Sequence, residues 1–249
     1  MGEDGRVSSL FPSLLTPPIG FAHRGARFHA PENTLEAFQL ALRLGATGLE
    51  SDVWLTADGE AVLDHDGVVG SLLRGRRRRR IAATARAELP AYIPTLAELY
   101  SVCGTDFQLS LDIKDPAAVE AVVATAREAD PRAPARLWLC HPELELVGSW
   151  RSLDSDVRLV NSTRLERIKE GPERRAASLA ELGIDAVNLH RADWTPGLTT
   201  LFHRFDRYAL GWDAQHEWMI AELVQMGIDG IFSDHVDRLM DTITATWSP

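Results

Sequence analysis

Short apolar runs rich in β-branched and aromatic residues alternate along the chain with longer stretches of helical period. The runs predict strands near 19–23, 48–54, 107–113, 136–140, 157–161, 185–189, 207–211 and 229–232. Between them the pattern predicts helices near 33–44, 95–102, 116–129, 142–151, 173–182, 197–205, 215–226 and 235–246. Strands that alternate with helices imply parallel pairing through βαβ crossovers. Eight such units in 249 residues match the size of a closed (β/α)8 barrel. An open doubly wound sheet is the rival, but it usually has fewer strands and opens on a glycine-rich first turn. "HRGARFHAPEN" is not that turn. The expected fold is therefore α/β: a single TIM-type (β/α)8 barrel over 19–249, an N-terminal extension over 1–18, and a short insertion after the second barrel strand.

The first helix illustrates the local logic. Asn33 is placed to cap it, with Glu36 reaching back in a capping-box manner. Leu35, Phe38 and Leu42 then recur on one face, and Gly45 stands where the chain leaves the helix. The one low-complexity patch, "RGRRRRR" from Arg74 to Arg80, interrupts the rhythm. It reads as a solvated loop, or as a cationic surface (Arg76 to Arg80) that draws an anionic substrate or lipid surface toward the barrel mouth.

Chemistry gathers at predicted strand ends. In "LESDVWL", Glu50, Asp52 and Trp54 share one strand face, and in a barrel the carboxylates point inward at the C-terminal end. Two such anions repel unless a cation lies between them, and Mg²⁺ or Ca²⁺ suits oxygen donors. On its own the pair fits either a solvated strand end or a metal site. "LSLDIKD" puts Asp112 and Lys114 together in the same way. They form either a salt bridge at the barrel mouth, or a third oxygen ligand beside a cation that faces the same anion as the metal. His23-Arg24 closes the first strand and His65-Asp66 follows "EAVLD", both at the face where barrel active sites assemble. Two imidazoles can share a displacement, one accepting a proton and one donating it, while Arg24 offers a planar fork to phosphate oxygens. His141, Asn161, Asn188, His190 and Trp212 fall at or just past strand ends and are candidate pocket walls. Trp212 is the foremost, as an apolar wall or cation–π face for a choline-like head group. Asp234 is expected to cap the last helix.

Composition narrows the class. With 45% hydrophobic and 25% charged residues the chain is an ordinary globular protein, and its formal net charge of -10 argues against nucleic acid as a partner. Two isolated cysteines, Cys103 and Cys140, fit a reducing compartment. The acidic start is unlike a signal peptide, Arg6 stands where a myristoylation motif wants Ser or Thr, and no apolar run approaches the roughly 20 residues of a membrane span. The expectation is a cytoplasmic protein without a transmembrane segment.

Taken in order, "HRGARFHAPENTLEAF", "GLESDVWLTADGEAVLDHD", "IPTLAEL", "LDIK" and "GIDGIFSDHVDRL" resemble the glycerophosphodiester phosphodiesterase family over roughly residues 20 to 240. The resemblance implies a TIM-type barrel, one divalent cation, and hydrolysis of glycerophosphodiesters to glycerol 3-phosphate and an alcohol, a step in lipid and glycerol metabolism. It makes His23 and His65 the general acid–base pair, with His65 the preferred acid. Glu50, Asp52 and Asp112 become metal ligands, and Arg24 and Lys114 phosphate contacts. Glu32, in "PENT", positions its loop. Asp112 departs from the family's more usual glutamate and is one methylene shorter, so it needs a closer backbone or a bridging water. The alternatives are a lysophospholipase D or sphingomyelinase D-like enzyme on the same barrel, and a non-catalytic phosphate-binding module.

Overall fold

The structure is a computed structural model that describes residues 11–70 and 78–247. In chain order its elements are β1 (Ile19–Ala22), α1 (Leu35–Arg43), β2 (Gly48–Leu55), β3 (Ala61–Leu63), β4 (Val68–Val69), β5 (Arg79–Arg80), α2 (Leu96–Cys103), β6 (Gln108–Ile113) and α3 (Val119–Ala129). There follow β7 (Leu137–His141), α4 (Leu144–Ser149), β8 (Arg158–Ser162), α5 (Pro172–Glu181), β9 (Ala186–His190), α6 (Pro196–His203), β10 (Tyr208–Trp212), α7 (Glu217–Gln225), β11 (Gly230–Ser233) and α8 (Val236–Trp247). Eight strands pair in parallel in the order β1-β11-β10-β9-β8-β7-β6-β2, and β1 also pairs with β2. That last pairing closes the sheet on itself: the fold is the expected (β/α)8 barrel.

Alternation along each strand divides the core in two. Leu49, Val53, Leu109, Leu111, Leu139, Leu159, Val187, Ala209 and Ile231 face outward and pack beneath the helices. Phe21, Trp138, Cys140, Val160, Ala186, Leu210 and Phe232 fill the barrel interior. Phe21 occupies its middle, stacked on Phe232 at 4.5 Å and edge-on to Trp138 at 6.2 Å. Glycines on both neighbouring strands admit it: a Cβ on Gly48 would lie 2.5 Å from the Phe21 ring, and one on Gly230 2.9 Å from it.

Two local expectations are corrected. Thr34, not Asn33, caps α1, accepting the Ala37 N–H at 3.2 Å. Asn33 takes a left-handed φ of 55° and is buried, with its Oδ1 accepting from Ser51 on β2 at 2.7 Å. The helix buries Ala37, Phe38 and Ala41. The second difference lies after β2, where "EAVL" forms β3 and pairs antiparallel with the top of β2 (Val53 opposite Leu63). The insertion is a packed flap with its own small core of Val62, Val69, Ile81, Leu89 and Ile93 against Trp54. Arg74 to Arg77 lie outside the described residues. Arg79 and Arg80 form β5 against β4, and Arg79 donates to the Glu88 carboxylate at 2.7 Å. Among the described residues no helix is long and apolar enough to cross a membrane.

At the barrel's N-terminal end, the Asp229 carboxylate is fully buried. It accepts N–H bonds from Leu14 (2.6 Å), Leu15 (3.1 Å) and Ala209 (2.7 Å), and lies 2.8 Å from His203 Nε2. One side chain thus ties the segment before β1 to β10 and α6. An amide in its place would turn an acceptor into a donor facing donors, and leaving buried groups unsatisfied costs about 1–3 kcal/mol each. Asp229→Asn is expected to lower Tm by about 5–15 °C in a thermal melt; an unchanged Tm would show that the carboxylate is not what secures that end.

Candidate metal centre and active-site cavity

β2 and β6 run side by side with Glu50 opposite Ser110 and Asp52 opposite Asp112. Inward alternation therefore brings three carboxylates to the C-terminal rim, where ligand oxygens of Glu50, Asp52 and Asp112 lie within 4.8 Å of one another. Asp112 reaches the cluster despite its shorter arm, because the strand register alone sets it beside Asp52. Lys114 Nζ lies 2.9 Å from Asp52 Oδ1 and 3.2 Å from Asp112 Oδ2. Arg24 donates its backbone N–H to Glu50 Oε2 at 2.9 Å. Its Nε comes within 3.3 Å of Asp52 Oδ2 without the alignment of a hydrogen bond, so both buried atoms are left unpaired. A buried carboxylate oxygen with no donor, inside a set of three hard oxygen donors, fits a divalent cation of the Mg²⁺ or Ca²⁺ kind. Burial, and then the neighbouring Asp52 and Asp112 charges, outweigh His23 and push the Glu50 carboxyl up to about 8.

His23 and Arg24 enter through a strained turn. Arg24 has φ 54° and Gly25 φ 78°, and a Cβ on Gly25 would sit 2.8 Å from Ala37. Non-glycine residues seldom adopt such a φ, and strain of this kind is a reservoir found at functional sites. Glu32 meets the turn from outside, 3.0 Å from Arg24 Nη1 and 2.9 Å from Arg27 Nη2. His23 Nδ1 lies 2.6 Å from Asp234 Oδ1, and its Nε2 lies 3.8 Å from Glu50 Oε2. Partial burial opposes charging the ring, but Glu50 and Asp234 prevail and hold its pKa above the ordinary value. Asp234 thus gives its carboxylate to His23 instead of capping the last helix.

A cavity of about 580 Å³ opens over this cluster, with His23, Arg24, Glu50, Asp112, Asn188 and Trp212 in its wall. Other candidates stand elsewhere. Lys114 directs two contacts of its ammonium to the aspartates and is not in the wall. His65 follows β3 on a turn brought to the rim by the Asp64 N–H, which bonds the Asp52 carbonyl at 3.0 Å. Its ring is 41% exposed, lies 2.8 Å from Asp66 Oδ1, and is likewise outside the wall. His141 accepts the Glu143 N–H and packs edge-on to Trp150, while Asn161 is buried between the His141 and Pro142 carbonyls and Arg175. Both serve packing. His190 accepts the Ala192 N–H and turns its other nitrogen to Asp213, bracing Trp212 from the side.

The sequence profile of the Glycerophosphoryl diester phosphodiesterase family matches residues 23–238. The chain belongs to that family. It is 29% identical over 251 residues, 91% of each chain, to the protein named "Probable glycerophosphodiester phosphodiesterase 2" of Mycobacterium tuberculosis. The structure of a glycerophosphodiester phosphodiesterase from Thermotoga maritima is similar at a TM-score of 0.77 and 22% identity, over 90% of this chain and 97% of that one. An Oleispira antarctica phosphodiesterase, solved with the product sn-glycerol-3-phosphate, is similar at a TM-score of 0.74 and 23% identity, over 91% and 96%.

Membership makes the chain an enzyme, a glycerophosphodiester phosphodiesterase, and gives the acidic cluster its meaning. Sequence reasoning missed Asp234, Arg27, Arg164 and Arg167 in the cavity wall. Asp234 was open to inference. Closing an eight-stranded barrel puts the last strand beside the first, and Asp234 and His23 each follow directly on those strands.

Loading a cation requires the Glu50 proton to leave, since ligands bind deprotonated. Below pH 8 each pH unit down should weaken Mg²⁺ or Ca²⁺ binding by up to about tenfold, levelling off above pH 8. Calorimetry in buffers of different ionisation enthalpy should show a proton released at pH 7; flat affinity from pH 6 to 9 contradicts the assignment. Asp112→Asn should weaken cation binding at least tenfold, in the range lost when the surroundings of a metal site are altered.

Proposed function

We propose that this enzyme cleaves glycerophosphodiesters to sn-glycerol 3-phosphate and an alcohol with His23 as proton acceptor and His65 as proton donor. The observation that carries the reading is the meeting, in one cavity wall, of the carboxylate cluster and an imidazole fixed by Asp234. Glu50, Asp52 and Asp112 are the residues that would hold a divalent cation, which supplies positive charge against a phosphate oxygen. Arg24 offers its unspent guanidinium donors to a second oxygen, and Lys114, with two contacts made, keeps a third donor for the same anion. These charges are fixed before reaction, where such preorganisation counts most.

Asp234 accepts from His23 Nδ1, so Nε2 is the nitrogen left to take a proton from the attacking oxygen. That oxygen is water's, giving glycerol 3-phosphate directly, or the substrate's neighbouring hydroxyl, giving a cyclic phosphodiester that water must then open. As the new oxygen–phosphorus bond forms, the bond to the alcohol breaks, and the alcohol's oxygen receives the proton His65 gives up. His65 lies on the flap at the Asp52 edge of the rim, a position suited to a departing group and not to one held deep in the barrel. Two free thiols, Cys103 and Cys140, support a reducing, cytoplasmic setting.

Two experiments test this. EDTA should abolish release of sn-glycerol 3-phosphate from a glycerophosphodiester, and an added divalent cation should restore it; activity that persists in EDTA ends the metal reading. The histidines separate by leaving group. His65→Ala should lower kcat about 10²–10⁴-fold on an alkyl diester but little on glycerophospho-p-nitrophenol, whose phenolate needs no acid. His23→Ala should be slow on both. Equal losses for His65→Ala on the two substrates would remove it as the donor.

A further inference from the structure

The cavity has two unlike sides. Glu50 and Asp112 come from β2 and β6, whereas the strands across the barrel, β8 to β10, carry Arg164, Arg167, Asn188 and Trp212. Trp212 was the expected cation–π face for a choline-like group, but Arg164 already occupies it: the guanidinium carbon lies 5.7 Å from the ring centroid. Asp193 pins that guanidinium, 2.8 Å from Nε and 3.3 Å from Nη2. A quaternary ammonium entering here would meet a fixed positive charge where it needs an electron-rich ring.

Arg167 stands in the same wall and, among the described residues, has neither an ion pair nor a hydrogen bond from its side chain. Asn188 is 5% exposed, and its Oδ1 is buried without a hydrogen-bond partner while Nδ2 points to Ser162 Oγ at 3.4 Å. The wall's carboxylate on this side, Asp213, already faces His190 Nε2 at 3.1 Å and accepts from Gln215 at 3.3 Å. The groups without a protein partner are therefore an exposed guanidinium, which would suit an anion, and a buried amide oxygen, which would suit a donor such as a hydroxyl.

We propose that this wall is a head-group site for glycerophosphodiesters whose alcohol is a polyol bearing a second anionic group, and that Arg167 is its specificity-determining residue. The proposal rests on the glycerophosphodiester reading and adds the class of alcohol. Arg167 binds the distal anion, Asn188 Oδ1 accepts from a polyol hydroxyl, and Arg164 with Trp212 forms a positively charged wall that turns cationic alcohols away.

Three substrates isolate the charge: glycerophosphocholine, glycerophosphoglycerol, and bis(glycerophospho)glycerol, which carries a second phosphodiester on the same polyol. Per scissile bond, kcat/KM should be about tenfold higher for the bis compound than for glycerophosphoglycerol, with the choline ester last. Arg167→Gln should erase most of that preference through KM, and Arg167→Lys should keep most of it. Lys169→Gln makes the same charge change two residues on and outside the wall, and should leave the preference in place. A choline ester that matches the bis compound, or a preference intact in Arg167→Gln, overturns the proposal. Binding of the three compounds to Mg²⁺-supplied His23→Ala protein, measured by calorimetry, separates it from the hydrolase reading. If no diester is turned over yet the binding order holds, only the hydrolase reading fails. If the order is flat, the head-group site fails.

Discussion

Three carboxylates brought to one point of a barrel rim are the constraint around which the upper half of this protein is arranged. Two unit charges a few ångströms apart near a protein surface repel by on the order of 3 kcal/mol. Glu50 and Asp52, at 5% and 2% exposure, have little water to soften it. The chain meets that repulsion with Lys114 between the two aspartates, the Arg24 backbone N–H on Glu50, and His23 close by. The compensation is incomplete, since Asp52 Oδ2 stays unpaired and the Glu50 carboxyl is pushed up to about 8. A site so arranged is electrostatically unfavourable alone, and a bound dication would relieve it.

The floor beneath this site is apolar and tightly fitted. Phe21 lies two residues below His23, and Gly48 two below Glu50, so the strands that supply site residues also supply the packing underneath. Because Gly48 and Gly230 leave room on either side for the ring, the barrel interior is filled at that level. Enlarging either glycine would move Phe21, and with it the strand whose end carries His23.

Much of this was legible in sequence because two periods carry it. Alternation at period two on "LESDVWL" and "LSLDIKD" is enough to turn Glu50, Asp52 and Asp112 inward, and in-register parallel pairing then brings them together. Every barrel strand and helix falls within a few residues of its predicted place. What was not legible depends on contacts distant along the chain. Asp234 looks like a helix cap until barrel closure sets it against His23. Trp212 looks like a free aromatic face until Arg164, from a loop two strands away, covers it. Asn33 offers a better-known cap than Thr34, but its Oδ1 is drawn to Ser51 on the neighbouring strand, a tertiary bond that outcompetes the local one. His141 and Asn161 sit at strand ends as a pocket residue would, but neither is in the cavity wall.

The missed strand β3 follows from the same geometry that builds the site. β1 pairs with only the lower end of β2, Phe21 opposite Gly48 and Ala22 opposite Leu49. It then leaves the sheet through the positive-φ turn at Arg24 and Gly25. β2 continues to Leu55, so its upper edge would present unpaired backbone groups if nothing replaced β1 there. β3 takes that edge, pairing residues 61–63 with 53–55, and the Asp64 N–H extends the pairing down to the Asp52 carbonyl. The early departure of β1 therefore has two consequences. It turns His23 and Arg24 onto the carboxylates from one side, and it opens the strand edge that carries the His65 turn to the rim from the other. A barrel whose first strand ran two residues further would have neither the turn nor the vacant edge.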